Sequence, residues 1–151
     1  MFSTAEEQDA RVRAAVYEAT INVGVPPSVQ DLVRDLDLRP ASVRESLERL
    51  AAGKALVLQR ESREVLMASP FSAVPTPFAV RALDRLYYGN CIWDALGIPA
   101  MLRADAHIVS SCGCCGEAMQ LSVQGGQLAP LEGVIHFAFP AHQWWRDIVY
   151  N

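Results

Sequence analysis

No cysteine occurs in the first ninety residues of this 151-residue chain, no apolar run approaches the length of a membrane span, and basic residues are in the minority. Each absence excludes something. A helix crossing a bilayer needs about 20 apolar residues, and the longest runs here, such as Ala55 to Leu58 and Ile98 to Leu102, are far shorter. The opening MFSTAEEQDAR is polar and acidic where a secretory signal needs a basic start and an apolar stretch, so the chain reads as cytosolic. With 13 Lys and Arg against 17 Asp and Glu, the chain as a whole has no attraction to a phosphate backbone. What remains, 51% hydrophobic and 20% charged residues with no internal repeat, is an ordinary globular balance.

The first half carries helical periodicity. Val12, Ala15, Val16, Ala19 and Val23 recur at three- and four-residue intervals, which predicts one buried helix face over Ala5 to Val23. Gly24 and Pro26-Pro27 stop it. Ser28 is placed to cap a second helix with Val29, Leu32, Val33 and Leu36 inward, and Pro40 to open a third with Val43, Leu47, Leu50 and Ala51 inward, ended by Gly53. Ala55 to Leu58 and Val65 to Ala68 flank a charged stretch and suggest a β-hairpin. Three helices and a hairpin predict a winged-helix-like domain over residues 1–68.

Such domains often bind DNA, and Arg44, Arg49, Arg60 and Arg63 lie on the third helix and the wing. Residues 1–68 nevertheless hold nine Lys or Arg and eleven Asp or Glu, and base readout needs phosphate contacts to hold the helix in place. A scaffold or lid role is the expectation, with nucleic acid not a partner.

SPFSAVPTPF, residues 69–78, is rich in Pro and Ser and reads as a linker. Beyond it, in residues 79–151, Val80 to Tyr88 and Cys91 to Leu96 read as short helices, and Ala106 to Ser110 and Met119 to Val123 as strands. Gly125-Gly126 reads as a turn, and Val134 to Phe139 as a further strand from the alternation of Ile135, Phe137 and Phe139. The fold class is α+β: a winged-helix-like three-helix domain followed by a small mixed α/β domain.

Chemistry concentrates at Gly89-Asn90-Cys91-Ile92-Trp93-Asp94. If Asn90 caps a helix beginning at Cys91, the thiol lies in the first turn, where free amides and the helix dipole favour a thiolate. Asp94, three residues on, comes up on the same face. On spacing alone the commoner reading of such a pair is structural, because cysteine is often buried and a helical aspartate is usually solvated.

The longer stretch from Cys91 through Asp94, Gly97 and Pro99 to Leu102 resembles the motif of the alkylmercury (organomercurial) lyase family, a cysteine and an aspartate three residues later followed by an apolar, proline-containing segment. Ala106 to Cys112 resembles that family's strand ending in serines and a cysteine, and Gly116 to Val123 the turn and strand after it. Val134 to Trp145 has the character of its later region. The resemblance covers roughly residues 69–151 and extends loosely to the helical N-terminal domain. It implies that Cys91 is the attacking thiolate and Asp94 the proton carrier, that no cofactor is required, and that mercury is the substrate's metal and the product ion. A soft metal of this kind prefers sulfur ligands, and a carboxyl pKa raised by burial suits the proton carrier.

One departure stands out. The family places a second catalytic cysteine well after the strand expected at Val134 to Phe139, and no cysteine follows Cys115 here. Either the chain is shortened, or another thiol substitutes, or the activity is lost or changed. Cys112-Gly113-Cys114-Cys115 is where a substitute is sought, with Cys114 and Cys115 as candidate mercury ligands and Cys112 at the position the resemblance marks as structural. Cys112 and Cys115 also have the spacing of half a zinc site, to be completed by His107 or His136, though both histidines read more readily as core residues. A redox dithiol is a third reading, although the strand and helix that flank such motifs are not evident. Trp144 and Trp145 read as core or rim packing. The rival from another class is a non-enzymatic mercury or zinc sensor whose winged helix binds DNA.

Overall fold

The computed structural model describes residues 4–149. Three helices come first: α1 (Thr4–Val23), α2 (Val29–Leu36) and α3 (Pro40–Ala52). Ser28 caps α2 as expected: its hydroxyl accepts the Asp31 amide while the Asp31 carboxylate accepts the Ser28 amide, an arrangement that contributes about 1 kcal/mol. Val12, Val16, Leu32, Val43 and Leu47 are buried together with Leu56, Leu58 and Val65. The core therefore forms where the helical periodicity placed it.

Strands β1 (Val57–Leu58), β2 (Val65–Ala68) and β3 (Phe71–Ser72) form an antiparallel sheet in that order. The hairpin expected after α3 is present. β3 falls within the Pro- and Ser-rich stretch, and its Phe71 is fully buried in a second core with Val80, Tyr87, Ile98 and Ile108.

That second core lies under a five-stranded antiparallel sheet of β4 (Ala79–Ala82), β5 (Arg85–Tyr88), β6 (Ala106–Ser111), β7 (Ala118–Gln124) and β8 (Gln127–Leu128), ordered β5-β4-β6-β7-β8. Helix α4 (Ile92–Leu102) follows β5 and contributes Ala95 and Ile98 to this core.

Three expectations are corrected here. Val80 to Tyr88 is not a helix but the β4–β5 hairpin, turning at Leu83 and Asp84, both with positive φ. Val80, Leu83 and Tyr87 happen to fall at helical spacing, and a Leu-Asp turn lacks the Asn-Gly or Asp-Gly signal that marks a two-residue hairpin loop. The helix read as Cys91 to Leu96 runs on to Leu102 through Gly97 and Pro99. Burial of Ala95, Ile98 and Pro99 outweighs the lost backbone bond and the steric cost of an internal proline. Val134 to Phe139 is not a strand; it has no regular structure, and Val134 is 94% exposed. Among the described residues the alternation there has no neighbouring strand to pair with, and Phe137 instead packs against Trp93 and Trp144.

Candidate functional site

Gly89 sets the position of the site. Its amide donates to the Phe78 carbonyl and its own carbonyl accepts the Thr76 hydroxyl at 2.6 Å. A Cβ here would lie 2.6 Å from the Ala95 nitrogen and 3.0 Å from the Cys91 carbonyl oxygen. Only glycine lets the end of β5 pass this close to the first turn of α4.

Cys91, not Asn90, is the N-cap of α4. It is extended (φ −147°, ψ −179°), and its Sγ accepts the Asp94 amide at 3.5 Å. The sulfur thus occupies the place a serine or threonine hydroxyl commonly takes. Asn90, freed from capping, turns its side chain to Asp94 and donates from Nδ2 to Oδ2 at 2.8 Å. Cys91 and Asp94 are both half-buried.

Burial is the dominant electrostatic influence on both groups. It pushes the Asp94 carboxyl above the ordinary carboxylate range, against the hydrogen bonds from Asn90, which is the shift expected for a proton carrier. It also pushes the Cys91 thiol up, opposed by the Asp94 amide and reinforced by the Asp94 charge. The thiolate-favouring helix start is therefore overridden in the free protein: desolvation of the sulfur outweighs the capping amide.

Helix α1 reaches the same region. Tyr17 packs against both cores, its hydroxyl donates to the Ser69 carbonyl at 3.0 Å, and the Asp94 charge contributes to a raised Tyr17 pKa whose main cause is burial. Sequence reasoning missed Tyr17, Thr76 and the partnering role of Asn90, because each acts across a fold that periodicity cannot reveal.

The other cysteines lie apart from Cys91 in the sequence and share one loop. Cys112 is half-buried and Cys114 and Cys115 are exposed, in the turn joining β6 to β7. The Cys112 sulfur accepts the amides of Cys115 and Cys114 and a hydrogen bond from the Cys115 thiol, which hold its pKa below the ordinary thiol range. Tyr88 of β5 and Val109 of β6 both lie opposite Ala79 of β4, so the chain leaves the sheet toward Cys91 and toward Cys112 at the same end. Across β4, Tyr88 and Val109 are about 10 Å apart, two strand spacings, and β6 runs on two residues further to Ser111 before it leaves the sheet.

Among the described residues no three His, Cys, Asp or Glu side chains converge as a metal site, so the half zinc site at Cys112 and Cys115 is not completed by His107 or His136. Neither histidine is in the core. His107 alternates outward along β6, with Nδ1 3.5 Å from the Ser122 hydroxyl, and His136 is exposed on the irregular segment. Trp144 joins Phe137 and Trp93 in an aromatic cleft, and the Trp145 ring lies under Lys54 at 5.6 Å. These are rim contacts. Among the described residues no helix is long and apolar enough to cross a membrane.

An alkylmercury lyase of Streptomyces lividans is 29% identical over 109 residues, a span covering 72% of this chain and 48% of that protein. The chain thus spans about half the length of the curated relative it matches. The fold is similar to that in the crystal structure of the mercury-bound form of MerB2, with a TM-score of 0.64 at 22% identity, over 82% of this chain and 59% of the other. The model of the alkylmercury lyase family (MerB) matches residues 71–150, more than half of this chain and all of the Cys91 to Asp94 segment; on that match, the chain belongs to the alkylmercury lyase family.

Proposed function

We propose that this protein cleaves carbon–mercury bonds, with Cys91 capturing the organomercurial and Asp94 carrying the proton to carbon. One observation carries the reading: the Cys91 sulfur accepts the Asp94 amide, which holds a soft nucleophile and a carboxyl within one helical turn. The Cys91 thiolate displaces the ligand opposite carbon on mercury. The proton it gives up passes to Asp94, whose raised pKa favours keeping it. Asp94 then protonates the carbon, the hydrocarbon leaves, and Hg(II) stays on sulfur until a second soft ligand takes it.

The chain is read as two units, 1–68 winged-helix-like and 79–151 lyase-type, joined by 69–78. Tyr17 of α1, packed against both cores, supports a scaffolding role for the first unit.

The test is hydrocarbon release from an arylmercury, measured beside mercury binding by difference. Asp94→Asn should retain binding at Cys91 while release falls by about 100-fold or more, the scale on which general acid catalysis contributes. Cys91→Ser should lose release altogether. Release from Cys91→Ser at the unmodified rate is the result that sinks the assignment.

A further inference from the structure

The five-stranded sheet carries a cleft that the chemistry at Cys91 does not use. It lies over the β4–β5 turn, at the end of the sheet opposite the one from which the chain leaves for Cys91, and its volume is about 500 Å³. Strand register builds it. Arg81 of β4 lies directly opposite His107 of β6, and His107 directly opposite Ser122 of β7. Direct partners share a face and bring their Cβ atoms to about 4.5–5.5 Å, so the three side chains stand in one row, and all three line the cleft. Arg85 joins them by folding back, its Nη1 donating to the Leu83 carbonyl at 3.5 Å. These donors are short of acceptors. Asp84 and Asp105 border the cleft, yet among the described residues neither forms an ion pair with Arg81 or Arg85, whereas Arg34, Arg49 and Arg63 each hold a carboxylate. Asp105 is engaged elsewhere: its Oδ1 accepts the Gly125 amide at 2.8 Å. The His107 ring meets the Ser122 hydroxyl through Nδ1 at 3.5 Å, and its Nε2 has no partner among the described residues.

We propose that this cleft binds a phosphate group, free or as a monoester, with Arg81 and His107 as its principal donors and Ser122 and Arg85 completing the contact. A guanidinium offers a phosphate edge two parallel N–H bonds, and an imidazole N–H and a hydroxyl can donate to the oxygens that remain. A carboxylate has two oxygens and is satisfied by the arginine alone. A phosphate has a third to offer the rest of the row, and this is what favours it here. Small-molecule sites commonly occupy about 300–1,000 Å³, so the cleft has room for a small group beyond the phosphorus. Asp84, at the turn, is the one feature that opposes an anion, since Asp105 already accepts an amide. Binding is non-covalent and does not depend on the lyase reading.

The experiment titrates inorganic phosphate into the full chain at constant ionic strength and follows the backbone amides and the His107 ring by NMR. A saturable shift with a dissociation constant in the millimolar range or below is expected. Arg81→Gln should weaken binding by about tenfold or more, and His107→Gln by a smaller factor, because the arginine supplies the two-pronged charged contact. Arg44→Gln, which removes an exposed arginine of α3, should change nothing. Arg81 and His107 are themselves exposed, and the amide spectrum of each variant checks that it is folded. Phenyl phosphate and acetate are run beside phosphate: tighter binding of phenyl phosphate identifies a monoester as the ligand, and tighter binding of phosphate identifies the free ion. The proposal is overturned if the shift stays linear throughout, if acetate binds as tightly as phosphate, or if Arg44→Gln costs as much as Arg81→Gln. No mercury is present, so this proposal and the lyase reading fail separately.

Discussion

Asn90 donates from Nδ2 to Oδ2 of Asp94 at 2.8 Å, while its own Oδ1 is buried with no hydrogen-bond partner among the described residues. A buried acceptor left unpaired costs about 1–3 kcal/mol, so its place beside a carboxyl that burial keeps protonatable invites a use. A half-turn of the amide would present Oδ1 to the acid form of Asp94. In the present orientation Asn90 stabilises the charged form and opposes burial. Asn90→Ala should therefore move the Asp94 pKa further up, as read by carbon NMR of the labelled carboxyl. A downward shift would contradict this account of the bond.

The raised Asp94 pKa also fixes the sign of a stability change. Below the unfolded-state value the carboxyl is protonated in both states and burial costs nothing. As pH rises from the unfolded value toward the raised folded one, the unfolded chain releases its proton first and stability falls; above the folded value the loss is constant. Asp94→Asn removes that loss and keeps an acceptor for Asn90. It should raise Tm by a few degrees at neutral pH and by nothing in strong acid, which thermal melts at two pH values will check.

Much of the first unit was legible because its information is periodic: Val12, Val16, Leu32, Val43 and Leu47 announce buried helix faces, and the structure buries them. The β4–β5 hairpin was not, since Leu83-Asp84 turns without a turn signature. The Cys91–Asp94 pair was visible as spacing, yet its setting was not. That Cys91 itself caps the helix, and that burial overrides the cap's pull on its thiol, depends on how closely Gly89 lets the chain approach. No local pattern encodes that approach. Val134 to Phe139 fails for the opposite reason: the pattern is there and the pairing strand is not.

Gly89→Ala should be among the more damaging small substitutions in the chain. The added Cβ would meet backbone atoms, Ala95 nitrogen at 2.6 Å and Ala95 Cα at 2.9 Å, which cannot move aside as a side chain can. Overpacking of this sort costs about 1–3 kcal/mol. Urea denaturation should show that loss, and a variant as stable as the parent would mean that α4 does not need the close approach.

Of the four arginines on the third helix and the wing, Arg44, Arg49, Arg60 and Arg63, two are engaged by carboxylates. Arg49 makes a two-pronged ion pair with Asp9 at 2.8 and 2.9 Å, and Arg63 pairs with Glu48. We expect duplex DNA to bind more weakly than about 1 µM at physiological salt, by fluorescence anisotropy with random and genomic fragments. Tighter binding that weakens steeply with added salt would restore the sensor reading.

The last prediction sets two readouts of one variant against each other. Burial pushes the Cys91 thiol up, and the Asp94 charge pushes it further in the same direction. Replacing Asp94 with asparagine removes that charge while keeping size and hydrogen bonding, so the thiol pKa should fall. More of Cys91 is then thiolate at neutral pH, and the thiolate is the form that attacks. With Cys112, Cys114 and Cys115 changed to serine so that one thiol remains, Asp94→Asn should react with iodoacetamide faster by roughly two- to fivefold at pH 7. The same variant, with the other cysteines in place, should release hydrocarbon far more slowly, because the group that delivers the proton is gone. A merely structural aspartate predicts no such opposition, since disorder at the start of α4 would alter access to the thiol and catalysis together. If alkylation slows or is unchanged while release falls, Asp94 acts on this site through folding and not through its charge.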